Sequence, residues 1–159
     1  SFGPLRHHVL ESGFGDDIEK FLVASGLPPA QFELRIAERT YITCPSAVWE
    51  RLAAMGVSLV IDECGRLHAS LERMARSPLS GLQLDRSWVA KLPDPSAAKV
   101  CRAMIGLAHA FDLVPIAMGV DDEAKRLALL GLGCGQGSGD LFQGGAALRA
   151  RVLGATGVI

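Results

Sequence analysis

Hydrophobic positions follow two different periods along this chain, and the two periods alternate. Short runs of β-branched or alternating apolar residues are typical of strands. They occur at residues 32–37, 57–61, 81–85 and 113–117. Between these runs, apolar residues recur at helical spacing. The predicted helices cover residues 16–25, 47–55, 69–76, 95–111 and 121–130. This alternation predicts βαβ units and a parallel sheet of four or five strands.

Acidic residues directly follow three of the four predicted strands. They are Glu38, Asp62 with Glu63, and Asp85, while the fourth strand is followed by Met118. The regular alternation predicts an α/β fold, namely an incomplete TIM-type (β/α) barrel with parallel strands and outer helices. The active site of such a barrel lies at the carboxyl ends of its strands, so the acids predict a site for metal or acid–base chemistry.

A glycine-rich segment, GLGCGQGSGDLF (131–142), follows the last predicted helix. The glycines of a dinucleotide-binding loop come after a strand and open a helix. Here a helix precedes the glycines and a strand is predicted after them. The order is reversed, so the segment is not interpreted as a nucleotide-binding loop.

The composition excludes several classes of protein. The chain has 159 residues, of which 49% are hydrophobic and 21% charged, which is enough apolar material for one domain with a core. A net charge of −1 without a basic tract argues against a nucleic-acid partner. No apolar run reaches the roughly 20 residues of a membrane span, and no signal peptide opens the chain. We expect a cytoplasmic protein without direct membrane insertion.

The cysteines give no sign of a metal site. Cys44, Cys64, Cys101 and Cys134 occur singly, with no C-x-x-C pair. This spacing argues against zinc and against a dense disulfide framework. Reduced and mostly buried thiols are the expected state.

Five motifs in one order resemble a known family. The run GVSLVIDECGRLHASLERMARSPLSGLQLDRSWVAKL resembles the centre of the EAL domains, the bacterial phosphodiesterases that hydrolyse cyclic di-GMP. Their pattern is a Gly-Val strand, D-D-F-G, a loop ending in S-L, a helix, and L-K-I-D-R-S-F-V. FELRIAE resembles the family's L-E-x-T-E, IGLAHAFDLVPIAMGV its I-x-L-A-H-x-L-G-L-x-V-x-A-E-G-V, and GSGDLF its G-Q-G-Y-L-F. The resemblance covers about residues 26–142 of a single partial domain and leaves 143–159 as a C-terminal extension.

The resemblance implies a site in which several functional residues are replaced. EAL domains are TIM-type barrels whose acidic strand ends bind two divalent metals, which activate a water and neutralise the phosphodiester. Arg35 stands at the family's metal-binding glutamate and Gln83 at its lysine. Met118 replaces the glutamate of A-E-G-V, and Ser138 replaces the glutamine of G-Q-G.

Other positions of the family's site are kept. They are Glu38, Asp62, Asp85 and, with one added methylene, Glu63. The chain has no asparagine, so the family's asparagine ligand is missing, and the E-A-L tripeptide lies outside these residues. We therefore expect no catalytic residues, no metal site and no cofactor. Magnesium or manganese would be expected only in an intact site.

From these losses we expect a catalytically inactive, EAL-like regulatory domain in bacterial cyclic di-GMP signalling. We expect it to act through protein–protein interaction. The alternative is a non-hydrolysing cyclic di-GMP receptor, with Asp62, Glu63 and Asp85 as ligand-binding candidates. A second alternative is a metal-dependent phosphodiesterase. An arc of five or six strands leaves unpaired edges, which favours self-association or a protein partner. The abrupt start at Ser1 favours a fragment of a larger protein.

Overall fold

Six strands form one sheet and pair in the order in which they occur along the chain. The computed structural model describes residues 14–64, 71–142 and 151–152. The strands are β1 (Glu33–Ala37), β2 (Ser58–Cys64), β3 (Gly81–Leu84), β4 (Val114–Met118), β5 (Gln136–Ser138) and β6 (Arg151–Val152). The first five are parallel, as predicted, and β6 pairs antiparallel with β5.

The strand order identifies the type of parallel sheet. In a doubly wound sheet the order reverses at a switch point, whereas in a barrel each strand lies beside the next one in sequence. The order β1 to β5 is of the barrel type. Within the described ranges β1 pairs with β2 alone, so the sheet is an arc that does not close.

One helix precedes β1, and further helices connect the strands. They are α1 (Phe14–Ser25), α2 (Glu38–Thr43), α3 (Ser46–Ala54), α4 (Leu71–Arg76), α5 (Arg86–Val89), α6 (Pro95–Ala110) and α7 (Glu123–Gly131). The five predicted helices are present, with small shifts at their ends. The sequence did not predict α2 and α5, which start directly at the ends of β1 and β3 and are too short to show a helical period. Asp94 caps α6 by accepting hydrogen bonds from the backbone N–H groups of Ser96 (2.9 Å) and Ala97 (3.0 Å).

The core lies on the helix side of the sheet and has two parts. In the first, Tyr41 of α2 and Trp49 of α3 are fully buried, with ring centroids 6.4 Å apart. In the second, Ile105 of α6 and Leu129 of α7 pack near Ala117 of β4. No helix in the described ranges combines the length and the apolar character that crossing a membrane requires.

The glycine-rich segment differs from its prediction. A strand, β5, lies inside the segment, and the residues after it (Asp140–Phe142) form a 3-10 turn, so the predicted position of the strand was wrong. The backbone makes a close approach directly after β5. A Cβ at Gly139 would lie 2.4 Å from the backbone of Val120, whose N–H donates to the carbonyl of Ser138 at 3.1 Å. Glycine is required here for steric reasons.

The cysteines that can be assessed match the prediction. Cys44, Cys101 and Cys134 are buried, reduced thiols. Burial raises the pKa of the Cys134 thiol to about 11. The thiol donates a hydrogen bond to the backbone carbonyl of Gln136 at 3.3 Å. The prediction for the Cys64 side chain lies outside the described residues.

Candidate functional site

The carboxyl ends of the five parallel strands surround one pocket of about 400 Å³. Each strand contributes one residue to its lining: Arg35, Asp62, Gln83, Met118 and Ser138. Segments that follow β3, β4 and β5 contribute the rest: Arg86, Gly119, Asp121, Gly139 and Asp140. The pocket therefore lies where the barrel-type topology predicts a site.

Arg35 lies at the centre of the contacts in this pocket. Its Nη1 donates a hydrogen bond to Oε1 of Gln83 at 2.7 Å and lies 3.3 Å from Sδ of Met118. Its Nε donates to Oε1 of Glu33 at 2.8 Å, two residues earlier in β1. The side chain is 30% exposed. A guanidinium thus bridges the ends of β1, β3 and β4.

Gln83 connects Arg35 to the retained aspartate. The glutamine is buried, and its carbonyl oxygen accepts from Arg35 while its Nε2 donates to Oδ1 of Asp62. Because a side-chain amide offers both a donor and an acceptor, it can link a cation to an anion through hydrogen bonds. One carboxylate oxygen of Asp62 therefore already accepts a hydrogen bond from within the protein.

Met118 and Ser138 complete the cluster. The hydroxyl of Ser138 donates to Sδ of Met118 at 2.9 Å, so this sulfur is approached by both Ser138 and Arg35. A thioether is neutral and a weak acceptor. The four residues that the family resemblance implies to be replacements thus form a chain of contacts across four strands.

The retained acids do not all reach the pocket. Glu38 is buried at the first position of α2 and does not line it. Asp85 is also buried and caps α5, accepting a hydrogen bond from the backbone N–H of Ser87 at 2.7 Å. Asp62 lines the pocket, while the side chain of Glu63 lies outside the described residues.

The sequence did not point to Arg86, Asp121 and Asp140 as site residues. Arg86 is exposed and passes over Gly119, where a Cβ would lie 2.8 Å from its Nε. Gly119 also has φ +78°, a conformation that disfavours other residues. Each of the three lies within three residues after a strand end. That position was the sequence feature from which they could have been predicted as site residues.

A second cleft, of about 420 Å³, lies away from the strand ends, between α3 and α4. Its central side chain, Arg73, donates to the backbone carbonyls of Ile42 (3.0 Å) and Cys44. The guanidinium also stacks on the ring of Tyr41, 5.0 Å from its centroid. These contacts give Arg73 a role in joining α4 to α2.

The residues of the strand-end pocket do not fit a pair of divalent metals. Magnesium and manganese take hard oxygen ligands, chiefly carboxylates. Among the described residues, no three acidic, histidine or cysteine side chains converge in a way that could hold a metal. At the strand ends the positive charge of Arg35 lies beside Asp62, whose Oδ1 is bonded to Gln83.

Known proteins share this sequence pattern. The EAL domain model matches residues 5–144. The cyclic di-GMP phosphodiesterase RocR of Pseudomonas aeruginosa is 32% identical over 131 residues, which are 80% of this chain and 33% of that protein. The bifunctional diguanylate cyclase/cyclic di-GMP phosphodiesterase MucR of the same bacterium is 32% identical over 135 residues, covering 82% of this chain and 20% of MucR.

Solved structures share the fold. The phosphodiesterase part of Pseudomonas aeruginosa MucR, in complex with cyclic di-GMP, aligns with a TM-score of 0.79 and 31% identity over 85% of this chain and 57% of that one. The EAL domain of Mycobacterium smegmatis DcpA aligns with a TM-score of 0.72 and 29% identity, covering 91% and 64%. This chain thus spans a third or less of these two curated relatives and less than two thirds of these solved chains.

These alignments explain the architecture. Five parallel strands in sequential order, helices between them and a pocket at the carboxyl edge are part of the TIM-type barrel of the EAL domains, so the predicted incomplete barrel is confirmed. The chain therefore belongs to the EAL domain family.

Proposed function

We propose that this chain is a catalytically inactive regulatory domain of cyclic di-GMP signalling, which acts through contacts with another protein. The contact between Arg35 and Gln83, at 2.7 Å, is the observation that carries the proposal. It fixes a positive charge among the strand ends at which the family resemblance places divalent cations.

The chemistry of the pocket supports the loss of hydrolysis. Metal-assisted hydrolysis needs a bound water of lowered pKa and a group that neutralises the phosphodiester. A guanidinium has no lone pair for a metal and does not act as a base at ordinary pH. Met118 cannot accept a proton as a carboxylate would, and Gln83 carries no charge.

The surface near β1 supports a protein contact. Within the described residues, the second edge of β1 carries no strand, and an unpaired strand edge is suited to pairing with another chain. Phe21, Val23 and Leu27 are exposed on and after α1, and the ring of Phe21 lies 5.7 Å from that of Phe32, directly before β1. Exposed apolar side chains beside an open strand edge are typical of interaction surfaces.

A non-hydrolysing cyclic di-GMP receptor is the second candidate. The pocket of about 400 Å³ favours it, because that volume lies in the range of small-molecule sites. Arg35 and Arg86 line the pocket and supply charge that suits a phosphate.

Hydrolysis can be tested with cyclic di-GMP and Mn²⁺ or Mg²⁺, followed by chromatographic separation of cyclic and linear nucleotides. We expect no linear product from the chain or from Asp62→Ala, with RocR as the positive control. Linear product that appears with the wild-type chain and disappears in Asp62→Ala would overturn the proposal.

The protein contact has a separate test in sedimentation. We expect the wild-type chain to self-associate with rising concentration, and a Phe21→Asp variant to do so less, because Phe21 is 50% exposed and its ring lies against Phe32, directly before β1. Lys99→Asp, exposed on α6, is the matched control. A wild-type chain that stays monomeric at every concentration would count against self-association through this surface.

A further inference from the structure

The hydrogen bonds between β1 and β2 show which backbone groups of β1 point to its open edge. The carbonyl of Phe32, an extended residue directly before β1, accepts a hydrogen bond of 3.0 Å from the first N–H of β2. Along a strand, successive residues turn their N–H and C=O groups to opposite sides. Phe32, Leu34 and Ile36 therefore bond towards β2. The backbone groups of Glu33 and Arg35 point to the other side of the strand.

The geometry of strand pairing limits how a second copy of this edge can be added. In the described part of the chain, β1 pairs with β2 alone, and an open edge is a template for a further strand. Two identical edges pair about a two-fold axis when their strands run antiparallel. The backbone bonds can then form in registers that set Glu33 opposite Glu33, Arg35 opposite Arg35, or Glu33 opposite Arg35.

The charges of β1 select one of these registers. Setting Glu33 opposite Glu33, or Arg35 opposite Arg35, brings like charges together, which destabilises a strand pair. Setting Glu33 opposite Arg35 brings opposite charges together on both sides of the axis. The two side chains are partly exposed and bond to each other at 2.8 Å within one chain. Because a guanidinium has five N–H donors, Arg35 can bond a second carboxylate as well.

The same register pairs apolar side chains on the helix side of the sheet. Leu34 lies at the two-fold axis and meets its own copy, and Phe32 lies opposite Ile36 of the second copy. Phe32 and Leu34 are only partly buried in one chain, and the exposed ring of Phe21 lies 5.7 Å from that of Phe32. Aromatic and β-branched residues that face each other across two strands stabilise the pair.

We propose that the open edge of β1 pairs antiparallel with the same edge of a second copy of this chain, with Glu33 opposite Arg35 and Leu34 at the two-fold axis. The inference rests on the protein contact of the proposed function, and it names the partner and the register of that contact. A second copy is favoured over a foreign strand because the order Glu33, Leu34, Arg35 is complementary to itself when it is reversed.

Charge-reversal variants test the register by sedimentation. Glu33→Arg and Arg35→Glu should each self-associate about 10-fold more weakly than the wild type, because every dimer then contains two pairs of like charges. An equimolar mixture of the two variants should associate about as strongly as the wild type, because each arginine of one variant then lies opposite a glutamate of the other. Arg102→Glu, an exposed position on α6, is the matched control and should behave as the wild type.

Hydrogen exchange of the wild-type chain tests the same register without any substitution. The amide N–H groups of Glu33 and Arg35 should become protected as the protein concentration rises, because they donate to the second copy only in the dimer. Circular dichroism of each variant shows whether it is folded. If Arg35→Glu does not fold, the exchange measurement decides the proposal.

Several results would overturn the inference. A wild-type chain that stays monomeric at every concentration would do so, as expected if another segment of the same chain covers the edge. So would association without protection of Glu33 and Arg35, or a mixture that associates no more strongly than either variant alone. The last two results leave the proposed function standing, since Phe21→Asp still decides whether this surface binds protein. Linear nucleotide in the hydrolysis assay would overturn the proposed function, while the mixing experiment still decides the strand pairing.

Discussion

The apolar interior of the sheet and the polar pocket at its carboxyl edge are built from consecutive residues of the same strands. In β2, Ile61 is fully buried and Asp62 lines the pocket. In β4, Ala117 is buried and Met118 faces Arg35. The interior holds apolar residues that pack against the helices, whereas the edge holds the charged and polar side chains of the pocket.

The difference shows that fold and chemistry depend on separate sets of residues. Burial of apolar surface stabilises the sheet, and this stabilisation does not depend on which polar groups lie at the edge of the sheet. Metal chemistry requires several side chains at once, so the loss of a few removes it. The proposed loss of hydrolysis is therefore compatible with a retained family architecture.

The largest effect on stability should come from the interior. Trp49→Ala removes a fully buried ring that stacks on Tyr41, which should lower the free energy of unfolding by about 3–5 kcal/mol. Denaturant titration measures the change. Val23→Ala, at a highly exposed position, is the control and should stay within about 0.5 kcal/mol of the wild type. A loss below about 1 kcal/mol for Trp49→Ala would contradict the account of the core.

A smaller effect on stability is expected at the edge. Arg35→Gln removes the bonds to Glu33 and Gln83 from a side chain that is 30% exposed, so the free energy of unfolding should fall by about 1–2 kcal/mol. Urea titration against Arg102→Gln gives the difference. A loss as large as that of Trp49→Ala would mean that contacts at the edge contribute as much to the free energy of unfolding as the interior does.

The sequence predicted the interior better than the edge, and the reason is physical. Strand and helix periods are local, so the parallel strands and the long helices could be read from the chain. The short helix α5 (Arg86–Val89) contains too few residues to show a helical period. The bonds from Arg35 to Gln83 and Met118 join residues 48 and 83 positions apart, and only the sheet register brings them together. The sequence placed each of these residues at a strand end but gave no sign that they contact one another.

The smallest effect concerns the pH dependence of the interior. Burial raises the pKa of Cys134 to about 11, from an ordinary value of 9.0. Between pH 9.0 and about pH 11 the native state keeps the Cys134 proton, which the unfolded chain releases. The contribution of this thiol to the free energy of unfolding is therefore complete below pH 9.0 and is lost as the pH rises towards about 11. From about pH 8 to pH 10 the wild type should lose on the order of 1 kcal/mol more than Cys134→Ala.

Paired urea titrations at the two pH values test this expectation. Cys44 and Cys101, whose thiols also have a pKa raised by burial, are present in both proteins and cancel in the comparison. Equal losses for wild type and Cys134→Ala would show that the Cys134 thiol is not shielded from water.

The central claim is that Arg35 occupies the place of a metal ligand and that the carboxyl edge of the sheet does not bind a divalent cation. Calorimetric titration with Mn²⁺ tests it most directly, using the wild type, Asp62→Ala, and a double variant that carries Arg35→Glu and Met118→Glu. We expect no saturable uptake by the wild type or Asp62→Ala, and measurable uptake by the double variant, in which two carboxylates join Asp62. Stoichiometric uptake of Mn²⁺ by the wild type that Asp62→Ala abolishes would contradict the claim.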